Sequence, residues 1–332
     1  MSEKGTDTMK TISKRYRVTG AGSYLVTGLL LLLCLLPNGS FATEPEPAQR
    51  TFQTPEEARQ ALLTAVQAKD HADLKAIFGP VAQELEPGDP VEQQRELEQF
   101  GQRLQEGSEL GKSGEEKIDL LIGKEKWPFP VPIVKKGDRW LFDTASGREE
   151  ILNRRIGRNE LHAIKVCKAY VDAQREYYNM PETDGVQIPK YAQRKFSTPG
   201  KKDGLYWPTA AGAKESPLGP LVAMAREEGY MPKRKAGEHG PRPFKGYYFR
   251  ILKGQGKSAP GGRFSYIING NMVAGHAMVA YPARWGVSGV MTFIVNQGGR
   301  VYQKNLGPKT AEVARRMKEY NPDLTWKLVA EQ

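Results

Sequence analysis

The chain has 332 residues, 39% of them hydrophobic and 26% charged, which excludes general disorder and leaves room for one large domain or two ordinary ones. Its formal net charge is +11, or +8 from 44 basic and 36 acidic residues once the first 42 positions are set aside. A charge of that size implies a moderately basic, solvated surface and by itself names no partner.

At the N-terminus, Lys10, Lys14, Arg15 and Arg17 precede an apolar run from Tyr24 to Leu36, broken by Pro37, Asn38 and Gly39 before Ser40-Phe41-Ala42. That order reads as a secretory signal (residues 1–42) cleaved after Ala42, and the mature protein is expected in the periplasm or otherwise outside the cytoplasm. The run Leu29 to Leu36 is shorter than the roughly 20 apolar residues of a membrane span, so membrane attachment is expected only if the signal stays uncleaved. Beyond Ala42, Cys167 is the only cysteine, which excludes an internal disulfide in the cleaved protein. Its neighbours Ile164, Val166 and Val171 mark it as a small buried hydrophobe on a helix.

Residues 43–53, with prolines and glutamates, read as a linker. A first domain is expected over 54–178. Thr54-Pro55-Glu56-Glu57 starts a helix, because the Thr hydroxyl can cap the amide of Glu57 while Glu57 reaches back. Ala58, Ala61, Leu62, Ala65 and Val66 continue it at helical spacing. A short helix through Leu74, Ile77 and Phe78 stops at Gly79-Pro80, and a charged one covers Glu92 to Leu104. From Lys117 the period becomes two: Ile118 to Ile122, Val131 to Val134 and Trp140 to Phe142 read as strands, with a turn at Lys136-Gly137-Asp138. Asp143 to Tyr178 is a long helical stretch with a break expected near Gly157. Glu150, Arg154 and Arg158 stand four apart on it, on one face that pairs charges or binds an anion.

A loop-rich connection spans 179–215, and a second domain 216–332. A helix begins at Ser216-Pro217 and ends at Gly229. Between Gly237 and Gly299 lie thirteen glycines among apolar runs at Tyr247 to Leu252, Phe264 to Ile268, Met278 to Tyr281 and Val290 to Val295. With tight-turn signals at Asn269-Gly270 and Gln297-Gly298-Gly299, these predict an antiparallel meander. A closing helix, Thr310 to Tyr320, places Val313, Met317 and Tyr320 on one face.

The whole is α+β: N-terminal helices with a curved antiparallel sheet in the order of cystatin-like or nuclear-transport-factor-like folds, a long helix, then a C-terminal meander with flanking helices that resembles the globular end of pilin-like proteins.

Catalytic signatures fail one by one. Gly111-Lys112-Ser113 and Gly256-Lys257-Ser258 end like phosphate loops, but the earlier glycine is replaced by Glu106 and Ile251. Gly286-Val287-Ser288-Gly289 brings its second glycine one residue early for a nucleophile elbow. The four histidines and Cys167 lack metal-ligand spacing, so no metal, cofactor or catalytic residue is assigned. The aromatics offer a binding face instead. The candidate binding residues are Arg154, Arg158, Trp207, Tyr247, His276, Tyr281 and Trp285, His276 because Gly275 beside it permits close approach of a ligand. An enzyme would have to assemble Arg154, Arg158, Asp172, Glu176 and His276 through the fold, as a hydrolase of envelope material.

Several ordered stretches carry a resemblance. Trp127-Pro128-Phe129-Pro130, Trp140 to Thr144 and Glu149 to Leu161 in the first half resemble the exported bacterial family catalogued as domain of unknown function 2950. Tyr206-Trp207-Pro208, Ser216 to Leu221, Gly246 to Arg250, Ala280-Tyr281-Pro282 and Ser288 to Phe293 are similar to the same family. The resemblance implies an exported protein and supplies no reaction. The expectation is therefore a non-enzymatic binding or structural module whose partner is an envelope protein or polymer and not a nucleic acid, with the hydrolase and a pilin-like assembly subunit as alternatives.

Overall fold

Helices and two main antiparallel sheets alternate along the chain, so the fold is α+β. The computed structural model describes residues 48–180, 188–210, 212–230 and 241–330, and the expected signal and its cleavage site lie outside them. Among the described residues no helix is long and apolar enough to cross a membrane.

Helix α1 (Pro55–Ala68) starts as its sequence dictates: the Thr54 hydroxyl accepts the Glu57 N–H at 3.1 Å, and the Gln53 N–H donates to the Glu57 carboxylate at 2.7 Å. Short helices α2 (His71–Phe78) and α3 (Val81–Glu84) lead to α4 (Pro90–Glu106). Strands β1 (Ser108–Lys112), β2 (Lys117–Ile122), β3 (Trp127–Pro128), β4 (Ile133–Lys136) and β5 (Arg139–Phe142) form one antiparallel sheet in the order β1-β2-β4-β5, with β3 also on β2. Helix α1 touches both edge strands, and Leu62, Leu120, Ile133 and Phe142 are buried together. Within the stretch 43–53 read as linker, Phe52 is buried and exchanges both backbone hydrogen bonds with Trp140 at 2.8 Å.

Helix α5 (Thr144–Tyr178) runs 35 residues, about 52 Å, without the break expected near Gly157. Gly157 is exposed with nothing within 4 Å, so glycine there costs propensity alone and the packed turns on either side carry the helix through. Helix α6 (Gly219–Glu227) follows the connection.

The second half holds β6 (Tyr247–Leu252), β7 (Gly254–Gln255), β8 (Phe264–Ser265), β9 (Ile267–Ile268), β10 (Asn271–Met272), β11 (Ala277–Pro282), β12 (Met291–Asn296), β13 (Tyr302–Asn305), α7 (Thr310–Arg316), β14 (Glu319–Tyr320) and β15 (Lys327–Leu328). The main sheet has the order β15-β13-β12-β11-β6, all antiparallel. Along β11 the faces alternate strictly. Met278 and Ala280 pack with Cys167 and Tyr170 of α5, whereas Ala277, Val279 and Tyr281 pack with Ala314 of α7 and Tyr320.

Two expected elements differ. Phe264 to Ile268 is not a strand of the main sheet: Tyr266 is fully buried, its hydroxyl 3.1 Å from Gln255 Oε1, so β8 pairs with β7 and β9 with β10. The closing helix stops at Arg316 because Met317 is extended, leaving Tyr320 buried in β14, while Val313 is 42% exposed and Ala314 takes the core position.

Candidate functional site

An apolar hollow lies between α6, α5 and edge strand β6. Its volume is about 440 Å³, and Val166, Leu218, Leu221, Val222, Phe244, Phe249 and Met278 give it apolar walls. That size and lining are typical of small-molecule sites, where a few polar groups orient a mainly apolar ligand. The polar groups here are Tyr170, Lys195, Tyr230 and Arg242.

Each is placed by local structure. Tyr170 is held on α5 with its hydroxyl donating to the Ala277 carbonyl at 3.1 Å. Residues 191–196 are pinned from both ends. Gln174 exchanges two 2.8 Å hydrogen bonds with the backbone of Ala192, imitating a strand pairing, and Phe196 bridges to Tyr206. Lys195 is thereby laid along the β6 edge, where Nζ donates to the Phe249 carbonyl at 2.7 Å. Burial pulls its ammonium down to about 8, with no neighbouring charge contributing.

A second cluster of polar groups joins the two halves. Asp89 caps α4, accepting the N–H groups of Val91 (3.1 Å) and Glu92 (3.2 Å), and its other oxygen accepts the Gly246 N–H at 3.0 Å. Lys245 and Gly246 both have positive φ (48° and 74°), the tight turn that opens β6, and a Cβ on Gly246 would lie 2.6 Å from Asn159 Nδ2. Asn159 donates to the Ser288 carbonyl at 3.2 Å, and one Glu160 oxygen accepts the N–H groups of Val290 and Met291, each at 2.9 Å. Glu228 pairs with Lys245 at 2.7 Å and Arg95 at 3.0 Å. Burial, then the Glu96 carboxylate, pushes Glu92 up to about 7, and its Oε2 is buried without a hydrogen bond. A raised carboxyl suits acid–base chemistry, yet Glu92 lines neither this hollow nor the smaller one of about 260 Å³ in the first half. That smaller hollow has Leu97, Phe100 and Phe129 in its wall, and at its polar end Arg155 is already bound to Glu96 and the Leu85 carbonyl.

The seven residues singled out from the sequence do not converge. Arg154 lies 4.5 Å over the Trp127 ring and pairs with Glu150, while Arg158, one turn on, pairs with Glu96 and stands 3.6 Å from Glu92. Trp207 packs edge-on to Tyr177. Tyr247 is fully buried and donates to the Met291 carbonyl at 2.9 Å, Tyr281 is buried on the α7 face, and Trp285 Nε1 donates to Asn305 at 2.9 Å. His276 is fully buried between the Tyr170 and Tyr191 rings with neither ring nitrogen hydrogen-bonded, and burial drives it down to about 3. None of the seven lines the 440 Å³ cavity. Asp172 is exposed and Glu176 pairs with Lys214, and the helix separates Arg154 from Asp172 by about 27 Å. Lys195 carried no sequence signal, and Leu221 and Phe249 stood within stretches of family resemblance that did not mark them as cavity wall.

A family model described as Protein of unknown function (DUF2950) matches residues 49–329. The chain belongs to this family. In this DUF2950 chain the stretches that carried the resemblance, Glu149 to Leu161, Gly246 to Arg250 and Ser288 to Phe293, meet at the junction through Asn159, Glu160, Gly246 and Ser288. No curated protein and no solved structure matches, so the pilin-like likeness finds no support there.

Proposed function

We propose that this DUF2950 protein is an exported, non-enzymatic envelope protein that binds an apolar molecule, or the apolar part of an envelope component, in the cavity between α6 and β6. The observation that carries the reading is that cavity's volume of about 440 Å³ with apolar walls and few inward polar groups. Export rests on the N-terminal pattern of basic residues, apolar run and Ser40-Phe41-Ala42.

Ala225, 7% exposed on α6, lines the cavity, and Ala225→Trp would obstruct it. Apolar ligands should raise the melting temperature of the wild type, by about 2.7 kcal/mol of stabilisation at a hundredfold excess over Kd, and leave Ala225→Trp unmoved. Equal shifts in both would place binding elsewhere. For export, the protein made with its native N-terminus in a bacterium with two membranes should be recovered from the periplasm with a mass starting at Thr43. A full-length, membrane-bound product would make an anchored role the leading reading.

A further inference from the structure

Among the described residues, Lys195 presents a part-buried cation without a counter-ion. Its Nζ has three donors, one of which is spent on the Phe249 carbonyl, and no carboxylate among the described residues pairs with it. Covering the exposed β6 edge accounts for that one bond, a usual task for lysine. It does not account for placing a full charge beside the apolar walls of Phe249, Leu221 and Met278, which is costly unless an anion comes to it. Arg242, the other cation on the wall, already has a partner. Among the described residues the cavity thus offers one positive charge without a carboxylate partner at the side of an apolar chamber.

We propose that the ligand is a single-chain amphiphile with one monoanionic head of the carboxylate class, its chain along α6 and its head on Lys195. This rests on the cavity being the binding site. One charge answers one charge, and the two remaining Nζ donors can each meet a carboxylate oxygen.

The test is calorimetric titration of the full mature chain at pH 7 with straight-chain carboxylates, the alcohols of equal length and the corresponding alkyl phosphates. Carboxylates should bind about fourfold tighter per added methylene until the cavity is full, and about 10- to 100-fold tighter than the matching alcohol. Their advantage should fade as pH rises past about 8, where Lys195 loses its proton. Lys195→Met, which keeps the stem and removes the charge, should bind carboxylate and alcohol alike, and Lys195→Arg should restore the preference. Should Lys195→Met not fold, the wild-type pH profile decides. Alcohols binding as tightly as carboxylates would overturn the head-group assignment and leave the cavity reading standing. Phosphates binding more tightly would overturn the carboxylate class. Binding of none of them would remove both.

Discussion

Three side chains set opposing pH dependences. Glu92, pushed up to about 7, holds its proton more tightly in the folded protein than in the unfolded chain, where its ordinary value is 4.5. Its favourable contribution is therefore complete below about 4.5 and lost as pH rises through about 7, a change on the order of 3 kcal/mol. His162, brought down to about 4 by burial and then by the Lys245 charge, and His276, at about 3, have the reverse sign: they fold neutral, so their contribution is present above 6.5 and lost as pH falls. The slopes oppose one another between pH 4.5 and 6.5. Glu92→Gln removes one of them, so its urea midpoint should climb more steeply with pH than the wild type's and exceed it at pH 8. Parallel profiles would mean that Glu92 titrates as an exposed carboxyl. At this scale the sequence was a poor guide to the site. His276 drew attention because Gly275 and Ala277 flank it, but Gly275 is tight for another reason: a Cβ there would lie 2.8 Å from the Tyr266 ring. Lys195 drew none, since only the chain's return along β6 brings its charge against the strand and partly buries it.

Between elements, the closest approach that decides geometry is that of α5 to the first sheet. A Cβ on Gly147 would sit 2.6 Å from the Pro130 carbonyl oxygen, a backbone atom that cannot swing away. Gly147→Ala should therefore destabilise by about 1–3 kcal/mol despite the better helix propensity of alanine, as read from denaturant unfolding. Gly157→Ala, in open space on the same helix, should stabilise by up to about 1 kcal/mol and serves as the control. The start of α1 was legible because it is written in a side chain, Thr54; Asp70, Asp89 and Asp143 likewise accept first-turn N–H groups, whereas α6 has no side-chain cap and begins at Gly219, three residues after the expected Ser216. The strands β2, β5, β6, β11 and β12 were legible because they alternate or are continuously apolar. The run Phe264 to Ile268 misled because composition cannot say that Tyr266 turns inward, and the helix expected to reach Tyr320 overran because Glu319-Tyr320 has a strand partner, Gly254-Gln255, 65 residues earlier in sequence at both positions.

Across the whole molecule, α5 belongs to both cores: Ile151 packs against the first, and Ala163 to Tyr177 lie in the second. Asp89 to Gly246, Arg95 to Glu228 and Arg284 to the Glu86 carbonyl add ties that bypass the helix. Heat unfolding should accordingly give one transition with equal calorimetric and van't Hoff enthalpies. Asp89→Ala, which removes both the α4 cap and the Gly246 tie, should split it into two, whereas Asp89→Asn, which keeps the cap, should not. Two transitions in the wild type would overturn the shared-helix account. Cys167 lies about two-thirds of the way along this helix, fully buried, with its thiol pushed up to about 12 by burial. A disulfide reagent in native buffer therefore finds no Cys167 thiolate until the second core opens, and this thiol serves as a stopwatch for that event. Tyr170, one turn further on, is part of the cavity wall, so a seated ligand should slow the stopwatch even where no spectrum changes.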